Sequence, residues 1–160
     1  LISKFVIAKQ AMDLCTNVFA QKWLAEYMAT GKLYDVIKAT CANYREKRNV
    51  MVDALEEHMP KRWEIKWTKP EGGLFLWISL PKFMNTDELI YKAVEQEKVA
   101  FVVGSAFYFD NPERNAMRIN FSYSNPDQIR EGVKRLARVI ESELKAYEAG
   151  HRAQTAPEGM

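Results

Sequence analysis

Pro60 divides the chain into two textures, and that division limits the fold more than any other feature of the sequence. Upstream of it, apolar residues recur at three- and four-residue spacing with few breakers, which is the period of amphipathic helices. Downstream, strand-like alternation and helical stretches take turns. A chain ordered in this way predicts an α+β architecture: long helices first, then a small antiparallel or mixed sheet of three to four strands covered by helices.

The individual elements follow from local chemistry. Val18, Phe19, Trp23, Leu24, Tyr27 and Met28 make one helical stripe, and Gly31 is placed to end it. A longer helix is expected from about Tyr34 to His58 through Ile37, Cys41, Tyr44, Met51, Ala54 and Leu55, with Arg45, Glu46, Lys47 and Arg48 on its other face. Trp63, Ile65 and Trp67 then alternate with Glu64, Lys66 and Thr68, and Pro70-Glu71-Gly72-Gly73 supplies a hairpin turn. The return strand, Leu74 to Leu80, is nearly continuously apolar, so a central position with both faces covered is expected. Asn85 or Thr86 caps the next helix, with Asp87 and Glu88 in its first turn and Leu89, Ile90, Ala93 and Val94 turned inward. Val99 to Val103 reads as a short buried strand, and Asn111 to Asn115 as the turn into the next one. Asn125 and Pro126 open a last amphipathic helix carrying Ile129, Val133, Leu136, Ile140, Leu144 and Tyr147 on one stripe, with Gly150 at its expected end. The remainder, residues 150–160, is polar and is expected to be disordered.

Composition narrows the function classes. With 23 Lys plus Arg against 21 Asp plus Glu, interspersed and without a basic block, neither nucleic acid nor an anionic membrane is an expected partner. No apolar stretch is long enough to cross a bilayer. Cys15 and Cys41 lack the spacing of a metal or redox pair and are expected to be reduced packing residues in helices, which favours a cytoplasmic setting. His58 and His151 have no neighbours resembling a triad or a zinc set, no nucleophile elbow is present, and turn geometry accounts for Gly72, Gly73 and Gly104. The acidic pairs Asp87 with Glu88 and Glu95 with Glu97 sit on helices where a solvated face explains them. No catalytic, cofactor-binding or metal-binding residue is therefore predicted in this chain.

One residue stands apart. In Ala116-Met117-Arg118-Ile119-Asn120-Phe121-Ser122, strict alternation puts Met117, Ile119 and Phe121 on one face of a strand and Arg118, Asn120 and Ser122 on the other. Arg118 is either a surface arginine on the wet side of a sheet or a rigid guanidinium set beside an amide and a hydroxyl to grip a carboxylate.

Three stretches, taken in order, resemble the C-terminal part of class I/II pyridoxal-phosphate aminotransferases of fold type I. Lys69 to Trp77 is similar to the family's P-x-G-G-x-F-x-W segment, and Val102-Val103-Gly104-Ser105-Ala106-Phe107 to its V-x-P-G-x-x-F segment, with Gly104-Ser105 standing where many members have Pro-Gly. Met117 to Ser122 resembles the R-[LI]-N-F-[SA] strand, and Ile129, Glu131, Gly132, Arg135, Leu136 and Ala137 follow the helix after it. Lys9-Gln10, Gln21, Trp23 to Met28, Gly31 and the Tyr44-Arg45 to Leu55 helix are similar to the segment between the lysine loop and the small domain, so the likeness covers about residues 1–147.

The resemblance implies that Arg118 binds the α-carboxylate of an amino-acid or 2-oxo-acid substrate, and that the intact protein is a homodimeric, pyridoxal 5'-phosphate-dependent aminotransferase. It implies a helical segment over residues 1–33 that belongs to or packs on a large domain outside this chain, and a C-terminal small domain over residues 34–149. The family's Schiff-base lysine motif has no match here, since Ser3-Lys4 lacks the Pro-Gly and Arg-x-Gly that follow it, and Lys4 reads as a solvated helix residue. The chain alone is expected to be inactive and, from its broad apolar helix faces, poorly soluble or self-associating. Two other readings share these features: the aminotransferase-like effector domain of a transcription regulator, and a non-catalytic α+β binding module.

Overall fold

The computed structural model describes residues 1–155, with side chains through His151. The chain divides into two compact units, Leu1–Ala42 and Asn43–Met160. The first holds α1 (Ile2–Met12), α2 (Val18–Ala29) and the start of α3 (Lys32–His58). Asn17 caps α2 by accepting a hydrogen bond from the Ala20 N–H at 3.0 Å, and Gly31 provides the left-handed residue after it, with φ +77°. No residue of α1 or α2 is buried.

In the second unit the remainder of α3 leads to a four-stranded antiparallel sheet in the order β1-β2-β4-β3. The strands are β1 (Lys66–Trp67), β2 (Phe75–Ser79), β3 (Val102–Val103) and β4 (Ala116–Asn120). Helix α4 (Thr86–Glu97) lies between β2 and β3, a 3₁₀ turn, η1 (Gly104–Phe107), lies between β3 and β4, and α5 (Pro126–Thr155) ends the described chain. The expected α+β layer is thus borne out.

Alternation decides what the sheet buries. Leu76, Ile78, Met117 and Ile119 turn to the core, where they meet Leu55 and Met59 of α3 and its end, Leu89 and Ala93 of α4, and the stripe from Ile129 to Leu144 of α5. Ile78, Met117, Ile140 and Leu144 are wholly buried, and truncating any of them to Ala removes a side chain worth about 2–5 kcal/mol. Asn85, rather than Thr86, caps α4: its Oδ1 accepts from the Asp87 N–H at 3.0 Å. Thr86 is instead fully buried and its hydroxyl lies 2.8 Å from the Ala116 carbonyl, tying the start of α4 to the start of β4.

Several local expectations need correction. The outer face of β2 is not covered like its inner face, for Phe75 is 39% exposed. β3 is an edge strand of two residues with Val102 exposed, because nothing pairs beyond it among the described residues, and Val94 also faces outward. Cys15 lies between α1 and α2 rather than in a helix, and both it and Cys41 are exposed free thiols rather than packing residues. On the other face of α3, the partly buried Lys47 and Arg48 bridge to loops: Lys47 Nζ donates to the Ser122 carbonyl at 2.8 Å, and Arg48 Nη1 to that of Pro70 at 3.0 Å. Gly150 does not end the last helix, which continues through Thr155; residues 156–160 of the expected disordered tail lie outside the described residues.

Candidate functional site

Arg118 lies at the middle of β4, paired with Trp77 of β2 on one side and Val102 of β3 on the other. Directly opposed residues in an antiparallel ladder share a face, so Trp77, Arg118 and Val102 form a row on the side away from the core. Phe75, two residues before Trp77, belongs to the same face. The arginine is central because register puts it there. A slip of one residue would exchange it with buried Met117 or Ile119.

Its surroundings are aromatic. The Arg118 Cζ stands 3.9 Å from the Phe75 ring centroid and 4.5 Å from that of Phe107. Phe107 in turn meets the Trp77 ring edge-on, with centroids 5.6 Å apart and planes at 74°. Trp77 therefore backs the ring that stands against the guanidinium. Arg118 Nε is buried and has no hydrogen-bond partner, and Arg118 takes part in no ion pair among the described residues. No protein acceptor is committed to this guanidinium, so its remaining N–H groups can donate in plane to a planar anion such as a carboxylate.

The amide and hydroxyl expected beside Arg118 do other work. Asn120 Oδ1 accepts from the Ser122 N–H at 2.9 Å, the Ser122 hydroxyl at 3.0 Å and the Tyr123 N–H at 3.2 Å, which closes the turn leaving β4. The Arg118 guanidinium thus stands against two rings, without an amide or hydroxyl partner from this strand.

η1 positions Phe107, and two features fix η1. Gly104 is demanded by close approach rather than by turn geometry, since a Cβ there would lie 2.6 Å from the Ala116 carbonyl oxygen. Ser105 Oγ donates to Asp87 Oδ1 at 2.5 Å, and Asp87 Oδ2 lies 3.5 Å from Arg114 Nη1. Asp87 is therefore a strut between α4 and η1 and not half of an acid pair. Glu97 is likewise engaged: Arg138 Nε and Nη2 donate to its two carboxylate oxygens at 2.9 and 2.5 Å, and this hydrogen bonding lowers its pKa below the ordinary 4.5.

The remaining candidates fall away. No group of His, Cys, Asp and Glu capable of holding a metal occurs among the described residues. His58 Nε2 lies 3.9 Å from Glu57 Oε1, while His151 Nδ1 lies 3.1 Å from the Tyr147 carbonyl oxygen. Pyridoxal phosphate does not fit the donor set at the arginine, which offers one guanidinium flanked by Phe75, Trp77 and Phe107, without an amine or a cradle of N–H groups. Lys4 is an exposed residue of α1.

Fold and site together define an α+β domain that carries an arginine among aromatic rings on the open face of its sheet. The chain belongs to the class I and II aminotransferase family, whose profile matches residues 6–136. It is 45% identical over 90% of its length to aromatic-amino-acid aminotransferase 1 of Thermococcus litoralis, covering 34% of that protein. To the 2-aminoadipate transaminase of Thermus thermophilus it is 35% identical over 89% of its length, covering 35% of that relative. Among solved structures, the multiple substrate aminotransferase of Thermococcus profundus superposes with a TM-score of 0.81 at 43% identity, over 91% of this chain and 35% of that one. The chain thus spans about a third of the length of these relatives. The resemblance read from the sequence had already given the family. It had not resolved Phe75 and Phe107 as neighbours of Arg118, although both lie in the segments that carry the resemblance.

Proposed function

We propose that this chain is the C-terminal portion of a pyridoxal-phosphate-dependent aminotransferase that moves an amino group between an amino acid and a 2-oxo acid, and that Arg118 receives the substrate α-carboxylate. The observation that supports this reading most is the buried Arg118 Nε without a partner, on a guanidinium whose nearest neighbours are hydrocarbon rings. Such a group is matched by a planar, bidentate anion and poorly by anything neutral. Holding the carboxylate fixes the orientation of the bonds at the substrate Cα, and orientation of this kind is worth several kcal/mol of barrier. The electron-withdrawing chemistry at that carbon would be supplied by pyridoxal phosphate held by residues outside this chain, while Arg118 would only bind and orient the substrate.

The apolar side chains that α1 and α2 expose, Phe5, Phe19 and Trp23 among them, suit packing against the large domain or a second subunit of a homodimer. Two free, exposed thiols suit a reducing, cytoplasmic compartment. Arg118→Ala in the intact enzyme is expected to raise KM and to lower kcat/KM by about two orders of magnitude or more. Steady-state kinetics with an amino-acid donor checks this, and an unchanged kcat/KM removes Arg118 from the site.

A further inference from the structure

We propose that Phe75 and Phe107 are positioning residues for carboxylate recognition: by lying against the guanidinium of Arg118 they hold it with its in-plane N–H groups free for the ligand. The proposal rests on the reading of Arg118 as the carboxylate receptor. It concerns what keeps that receptor ready when no acid is bound.

An arginine side chain has four rotatable bonds, and ordering it costs free energy that a ligand must offset unless the protein has done so beforehand. Here no acidic side chain restrains Arg118, since none forms an ion pair with it among the described residues. The restraint comes from rings at 3.9 and 4.5 Å, from two separate elements, β2 and η1. Rings attract a cation through their faces yet offer no acceptor that could occupy the in-plane donors. A carboxylate in their place would hold Arg118 equally well and would block the site. The rings also shed water from the guanidinium, which strengthens the later ion pair.

Both rings are themselves held. Phe75 is fixed by the β2–β4 ladder, where it opposes Asn120. Phe107 is backed by Trp77 and carried on η1, which Gly104 seats against Ala116 and Ser105 links to Asp87. Phe75 and Phe107 remain 39% and 47% exposed, and neither belongs to the buried core. Leucine at either position should therefore spare the fold.

The test uses the intact enzyme and two unreactive probes, 3-phenylpropanoate and its neutral amide, with binding measured by calorimetry and folding followed by thermal melting. Phe75→Leu and Phe107→Leu are each expected to weaken the acid about threefold to tenfold while changing the amide little. Phe75→Tyr and Phe107→Tyr, which keep the ring face, should restore acid binding. Acid binding unchanged in both leucine variants overturns the proposal, and so does a loss shared equally by acid and amide or one that tyrosine fails to restore. Arg118→Ala separates the two levels of inference. If it abolishes acid binding while the leucine variants bind normally, only the role of the rings falls; if it binds acid like the parent, the carboxylate assignment falls and the role of the rings with it.

Discussion

A methyl group placed on Gly104 would meet the Ala116 carbonyl oxygen at 2.6 Å, its carbon at 2.8 Å and its Cβ at 2.9 Å, and none of these atoms can swing aside. Gly104→Ala should therefore force η1 away from β4 and destabilise the domain by about 1–3 kcal/mol, measurable as a lowered urea midpoint. Substitution at Gly132, where an added Cβ meets nothing within 4 Å, is the matched control. The sequence pointed to Gly104 and offered turn geometry as its reason. Positive φ among the glycines occurs at Gly31 and Gly73 instead, whereas Gly104 is required by contact with a residue twelve positions further on. Long-range contact of this type leaves no local signature. Arg118 was legible for the opposite reason: alternation is a local signal, and it separates Arg118 from Met117 and Ile119 without knowledge of the neighbouring strands. Phe75 and Phe107 were not legible as its companions, since their approach depends on the β2–β4 register and on the fold-back of η1.

At the scale of elements, α4 and α5 are joined by charge as well as by apolar packing. Arg138 of α5 meets Glu97 at the end of α4 through two hydrogen bonds, and Lys92 of α4 meets Glu143 of α5 at 2.7 Å. The Arg138 hydrogen bonds lower the pKa of Glu97 from 4.5. The folded value therefore lies below the unfolded one, so the contribution to stability is present above about 4.5 and is lost as pH falls through the folded value. Glu97→Gln should accordingly melt below the parent at pH 7, and the gap should narrow as the pH falls below about 4.5, as thermal melts on either side of it would show. A gap independent of pH would mean that the pair acts through packing of the arginine stem. Helices and strands at this scale were readable from period and caps, with Asn85, Pro126 and Gly31 each at a boundary the chain uses. Misreadings cluster where hydrophobicity was equated with burial: Val94, Val102 and Phe75 are apolar and exposed.

For the whole molecule, the contrast between the two units is one of core. The second buries a continuous cluster from Met51 to Leu144, while α1 and α2 bury nothing and expose Ile2, Phe5, Phe19 and Trp23. Helical hydrogen bonds without tertiary burial are marginal in water. In native-state hydrogen exchange of the 160-residue chain, amides of α1 and α2 should exchange far faster than those of β2 and β4, whose opening requires loss of the core. Equal protection in both units would show that the first unit is stabilised by self-association, which sedimentation would then detect.

β4 divides its residues between two faces: Met117 and Ile119 sit in the core, and Arg118 between them lies on the opposite face. A library randomised at Phe75, Trp77, Val102 and Phe107 would therefore vary the surface around Arg118, the proposed carboxylate receptor, while leaving the buried residues of the same strands unaltered. Selection on such a library can explore new acids without first being filtered for stability, so the pleat of one sheet gives this domain room to evolve.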